Sequence, residues 1–138
     1  MLRVLVDADN VAPPRLGPVL ELLARIPDGV HLTATGRAEA IERSSWPRDA
    51  ELIAITGWQR ADLALAGAYR PDDDPLVLIS GDGDFGLLAT RHPGPVLVVS
   101  GAASGRLRGG TTVVDPAAEG TGPITAWLRH HGIVVAKE

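Results

Sequence analysis

Residues 78–88 read LISGDGDFGLL: an apolar run, a Ser-Gly pair, then Asp82 and Asp84 with one residue between them. Together with the residues upstream, PLVLIS (75–80) is apolar at consecutive positions. That is the pattern of a strand covered on both faces. Water solvates a carboxylate better than a protein interior does. Two acids carried to the end of a buried strand therefore need a positive partner or an exposed crevice.

The same pattern recurs along the chain. LRVLV (2–6), VHLTAT (30–35), AELIAI (50–55) and PVLVVS (95–100) also read as strands, and TTVVD (111–115) is a candidate sixth. Segments of helical length lie between them. PPRLGPVLELLARI (13–26) repeats apolar residues at helical spacing through Leu16, Val19, Leu20 and Leu23, with Pro13 and Pro14 near its start. RADLALAGAYR (60–70) is apolar nearly all round, GDFGLLATRH (83–92) stops at Pro93-Gly94, and GPITAWLRHHG (122–132) is the last helix. GRAEAIERSSWPRD (36–49) fits either a short helix or a loop. Strand and helix in alternation predict a three-layer α/β fold with a mostly parallel sheet of five or six strands and right-handed crossovers. No boundary divides the chain, so residues 1–138 are expected to form a single domain.

Composition narrows the chemistry. The 138 residues are 45% hydrophobic and 22% charged, enough apolar material for a real core. There is no cysteine, which excludes disulfides and thiolate metal sites. No stretch approaches the roughly 18 apolar residues of a membrane span. The opening MLRVLVDADN meets two acids too early for a signal peptide, and the expectation is a cytoplasmic protein. A formal net charge of -4 argues against a generally basic nucleic-acid coat, though a local basic rim is compatible with it. Nearly every basic residue is Arg, with Lys137 the only Lys. Arg suits phosphate.

In open parallel sheets, ligands collect beyond the carboxyl ends of the strands. Asp7 and Asp9 follow the first strand, Asp82 and Asp84 the fourth, and Asp62 opens the apolar helix. Carboxylates sharing one crevice repel each other and hold their protons more tightly. A divalent cation removes that penalty. Oxygen ligands without Cys suit Mg²⁺ or Mn²⁺ rather than Zn²⁺. Such ions support hydrolysis of phosphodiesters. Plainer roles exist for each acid. Asp7 and Asn10 also fit a helix-start pair, Asp82 and Asp84 a helix cap, and Asp62 a first-turn acid. His130 and His131 are adjacent and do not share a helix face, which speaks against a joint ligand role.

These residues resemble a family. VLVDADNV is similar to the hydrophobic-Asp-x-x-Asn opening of NYN domains, the LabA-like proteins of the PIN-like nuclease fold. LISGDGDFGLL resembles their Ser-Gly-Asp-x-Asp-Phe motif, and RADLALAGAY their intervening helix. VLVVSGAASGRLRGGTTVVD resembles the closing strands, so the likeness spans roughly residues 2 to 115 in order. The family implies a Mg²⁺- or Mn²⁺-dependent ribonuclease that leaves a 5′-phosphate and a 3′-hydroxyl. It implies Asp7, Asp62, Asp82 and Asp84 as the acidic site, with Asp7, Asp82 and Asp84 on the metal. Asn10 would orient, and Ser80 and the extra Asp9 would support. The chain departs from the family on the middle helix, where ALAGAYR carries Gly67 and Ala68 and no second Asp.

The expected partner is RNA, single-stranded or structured, since the groove of a regular duplex is hard to read. Arg106 and Arg108 in SGRLRGG, with Arg60, are the candidates for gripping its phosphates. Trp58 is a candidate stacking surface. A homodimer would add basic surface to a shallow acidic crevice. Two other readings compete. One is an inactive NYN module that binds RNA or protein. The other is a haloacid-dehalogenase-like phosphatase, with Asp7 as nucleophile, Asp9 as general acid and Arg60 in place of the usual Lys.

Overall fold

A computed structural model describes residues 1–55, 69, 72–80, 91–101 and 112–136. The described chain runs β1 (Leu2–Asp7), α1 (Pro13–Ala24), β2 (Val30–Arg37), α2 (Ala38–Glu42) and β3 (Glu51–Ile55). It continues with β4 (Leu76–Ile79), β5 (Val96–Val99), β6 (Thr112–Val114), α3 (Pro116–Glu119) and α4 (Gly122–His130). The six strands form one sheet in the order β3-β2-β1-β4-β5-β6, and every pairing is parallel. The fold is three-layer α/β, and the sixth strand expected at 111–115 is present as β6. The ambiguous stretch 36–49 contains the one-and-a-half-turn helix α2 and is otherwise irregular after β2 ends.

Alternation within the strands builds a core on each face. Leu2, Val4, Val6, Val77, Ile79, Leu97 and Val99 face α1 and α4, where they meet Leu16, Val19, Leu20, Leu23, Ile124 and Leu128. The residues between them, Leu5, Leu76, Leu78, Val96 and Val98, form a second cluster on the other face, with Tyr69 packed against it. All four residues of β4 and of β5 are buried, as the unbroken apolar runs predicted. Pro18 sits inside α1 without breaking it. Its missing N–H would have reached back to Pro14, in the first turn of the helix.

The amino end of the sheet is closed by ion pairs. Arg3 Nε donates to Asp72 Oδ2 at 2.7 Å and lies 3.7 Å from Asp74 Oδ2. The α-amino group of Met1 lies 3.4 Å from Asp74 Oδ1. Asp72 and Asp74 thus form an acidic clasp on the first strand. The buried His92 locks the same corner: Nε2 donates to the Asp74 carbonyl at 2.7 Å and Nδ1 lies 2.9 Å from the Tyr69 hydroxyl. A carbonyl only accepts, so Nε2 carries a hydrogen. His131 belongs to this end too, lining a cleft with Met1, Leu2, Gly29 and Pro75. Its ring lies 4.6 Å from that of Trp127 and 4.9 Å from that of His130.

Candidate functional site

The order 3-2-1-4-5-6 reverses direction between β1 and β4. The chain leaves β1 for β2 and β3 on one side and returns to β4, β5 and β6 on the other. At such a switch point the loops diverge and leave a crevice beyond the carboxyl ends of the two central strands. Asp7 is the last residue of β1. Ser80 follows β4, and the pairing of Val6 with Ile79 sets the two side by side.

Asp7 is fully buried. Its Oδ2 accepts from Asn10 Nδ2 at 2.7 Å and from the Ser80 hydroxyl at 3.2 Å. Its Oδ1 is buried with no hydrogen-bond partner among the described residues. An unsatisfied buried acceptor costs about 1–3 kcal/mol, more when charged. Burial accordingly raises the Asp7 pKa above its ordinary 3.8, with the Asn10 and Ser80 hydrogen bonds and the nearby Asp9 backbone N–H pulling the other way and the Asp9 charge adding to the rise. Alternation puts Thr33 and Thr35 of β2 and Ser100 after β5 on the Asp7 side of the sheet, and all three are buried. Thr35 pairs with Asp7 itself, and Thr33 lies one pleat earlier beside Leu5.

Local sequence explains how Asp7 is held. A 3₁₀ turn, Ala8–Asn10, follows β1 at once and folds the Asn10 amide back onto the carboxylate. Asp9, which is exposed, accepts from the Arg37 backbone N–H at 2.9 Å and ties the turn to the end of β2. Gly36 permits that approach, since a Cβ there would lie 3.0 Å from the Ala8 Cβ and 3.1 Å from Asp9 Oδ1. Asp7 makes no side-chain capping bond to the turn, and α1 starts only at Pro13, behind the uncapped Ala12. Asp7 stands at the N-cap position of the 3₁₀ turn, and the Asn10 contact orients its carboxylate.

The structure brings together Asp7, Asn10 and Ser80, with Asp9 on the rim. Asp62, Asp82, Asp84, Trp58, Arg60, Arg106 and Arg108 lie outside the described residues. Among the described residues no group of three or more His, Asp or Glu is arranged to hold a metal. The oxygen of Asp7 left without a donor fits a hard cation by its chemistry. Sequence reading missed Thr33, Thr35 and Gly36. The every-other threonines in HLTATG carried a signal, because a polar residue recurring with period two marks one face of a strand. Among the described residues no helix is long and apolar enough to cross a membrane. No known family model and no curated protein matches this chain.

Proposed function

We propose that this chain is a metal-dependent ribonuclease of the NYN type, hydrolysing RNA phosphodiester bonds at the crevice between β1 and β4. One observation carries the reading: a buried carboxylate at the switch point, clamped through one oxygen while the other has no donor among the described residues. A purely structural Asp would be satisfied on both oxygens or left in solvent. Keeping a costly group in that state is a feature of sites that give up stability for function.

Asn10 and Ser80 hold Asp7 by donating to Oδ2, which leaves Oδ1 for a cation. Both donors favour the charged form, which a cation needs. Asp82 and Asp84 follow Ser80 in the chain by two and four residues. With Asp62 they would complete the acidic set that the resemblance implies. Mg²⁺ or Mn²⁺ held there would lower the pKa of an attacking water and shield the charge that develops on the phosphate. The polar row of Thr35, Ser80 and Ser100 keeps the crevice suited to oxygen-rich substrates.

The test is cleavage of a labelled single-stranded RNA in Mg²⁺, Mn²⁺ or EDTA by the wild type, Asp7→Asn and Asp82→Asn. Metal-dependent cleavage lost in both variants is the expected result. Equal cleavage by all three proteins overturns the assignment. RNA retained without turnover in any metal points to a binding module. Phosphate released from a small ester, lost in Asp9→Ala and without RNA cleavage, points to the phosphatase.

A further inference from the structure

Arg15 lies in the first turn of α1. Its Nε donates to Asp115 Oδ1 at 3.0 Å, a hundred residues away, just past the end of β6. Asp115 is itself fixed. The same Oδ1 accepts from the Ala117 N–H at 3.0 Å, and the Asp115 N–H donates to Glu119 Oε2 at 2.9 Å, a reciprocal cap at the start of α3. The Arg15 hydrogen bond is the chief reason that the Asp115 pKa is lowered from 3.8.

The guanidinium also lies against Gly101, the second residue past β5. A Cβ on Gly101 would come within 2.6 Å of Nη2 and 2.7 Å of Cζ. An Arg thus rests on bare backbone, pinned through one of the five N–H donors that the side chain carries. Among the described residues its Nη groups have no partner, and the side chain is 29% exposed. Arg–carboxylate pairs are often bidentate, with two parallel N–H donors on the carboxylate. Here Nε meets the carboxylate, and Nη2 lies over the residues that follow β5.

We infer that Arg15 is a phosphate-positioning residue, gripping a phosphate of the substrate strand next to the one that reacts at Asp7. The inference rests on the nuclease reading for its substrate and on Arg15, Gly101 and Asp115 for its place. Gly101 follows β5, two strands from β1 in the sheet, or roughly 10 Å at the usual strand spacing. Asp7 leaves the sheet toward the face of Leu5, and Arg15 comes from the helix on the opposite face. The two groups thus flank the carboxyl end of the sheet from opposite faces. Asp115 holds the fork in place before the substrate arrives, which lowers the entropy lost on binding.

The test is the affinity of a fluorescent single-stranded RNA, read by anisotropy over a range of salt, for the wild type, Arg15→Gln, Gly101→Ala and Arg48→Gln. Gly101→Ala keeps every charge and only displaces the guanidinium. Arg48 is exposed before β3, at the far end of the sheet, and serves as the control. Arg15→Gln should weaken binding about tenfold and lower the salt slope by about one. Gly101→Ala should weaken it several-fold, and Arg48→Gln should change it less than about twofold. A role confined to joining α1 and β6 would lower Tm and leave the salt slope alone, which overturns the inference. If the wild type cleaves RNA while Arg15→Gln and Gly101→Ala bind it as tightly as the wild type, this inference falls and the nuclease stands. If the wild type neither binds nor cleaves RNA, both fall. Should Arg15→Gln fail to fold, Gly101→Ala decides alone: unchanged affinity overturns the inference.

Discussion

The two ends of one sheet treat their acids in opposite ways. At the amino end, Asp72 and Asp74 are met by Arg3 and the α-amino group. Burial of Asp72 works to raise its pKa, but the Asp74 N–H, the Arg3 hydrogen bond and the Arg3 charge outweigh it and leave the pKa lowered. At the carboxyl end, Asp7 is buried, has no cation beside it among the described residues, and has its pKa raised. One end has its charge neutralised from within the chain. The other keeps an acid that no described residue neutralises. The difference separates an acid that builds the fold from one that the fold tolerates.

The largest expected effect falls on the tolerated acid. Asp7→Asn should lower metal-dependent cleavage of RNA by more than about 100-fold, since even outer-shell changes at metal sites cost about 10–100-fold. Initial rates in Mn²⁺ measure it. At the amino end, Arg3→Ala should leave the cleavage rate alone and lower Tm by about 3 °C, through the lost ion pair and the lost packing of its stem.

The same contrast gives opposite pH signatures. The Asp7 pKa is raised on folding, so the native state holds more protons than the unfolded chain above pH 3.8. Stability then falls as pH rises through the window from 3.8 to the folded pKa. Asp7→Asn escapes this penalty. In EDTA it should melt a few degrees above the wild type at neutral pH, with the gap closing below pH 3.8. The Asp72 pKa is lowered, so its contribution is present above 3.8 and is lost as pH falls through the lower folded value. Melting curves across pH for the wild type, Asp7→Asn and Asp72→Asn separate the two.

Finer probes sharpen the comparison. Ser80→Ala removes a donor that favours the charged form of Asp7. It should move the acid limb of the pH–rate profile to higher pH and cost roughly tenfold in rate at neutral pH. The smallest effect is expected at His31, whose Nε2 lies 3.9 Å from Glu51 Oε2 with both side chains about half exposed. His31→Ala should change stability by less than about 0.5 kcal/mol in chemical denaturation.

The amino-acid sequence makes part of the site legible. Asp7, Asn10 and Ser80 stand out because they are polar residues at the ends of apolar runs, where a strand stops and ligands collect. Asp72 instead reads as one acid of a solvated turn, and nothing in the residues around Arg15 sets it apart. The reason is physical. Asp72 meets Arg3 across 69 residues and Arg15 meets Asp115 across 100, and no local pattern marks either pair.

Local composition decided the strands, the helix α1 and the α/β class, because burial on two faces demands unbroken apolar runs and burial on one stripe demands helical spacing. Those constraints act within a few residues and are written in the chain. Strand order, register and the pairing of distant charges arise only when the elements pack, and they decided which acid would be paired with a base and which would stand buried at the switch point.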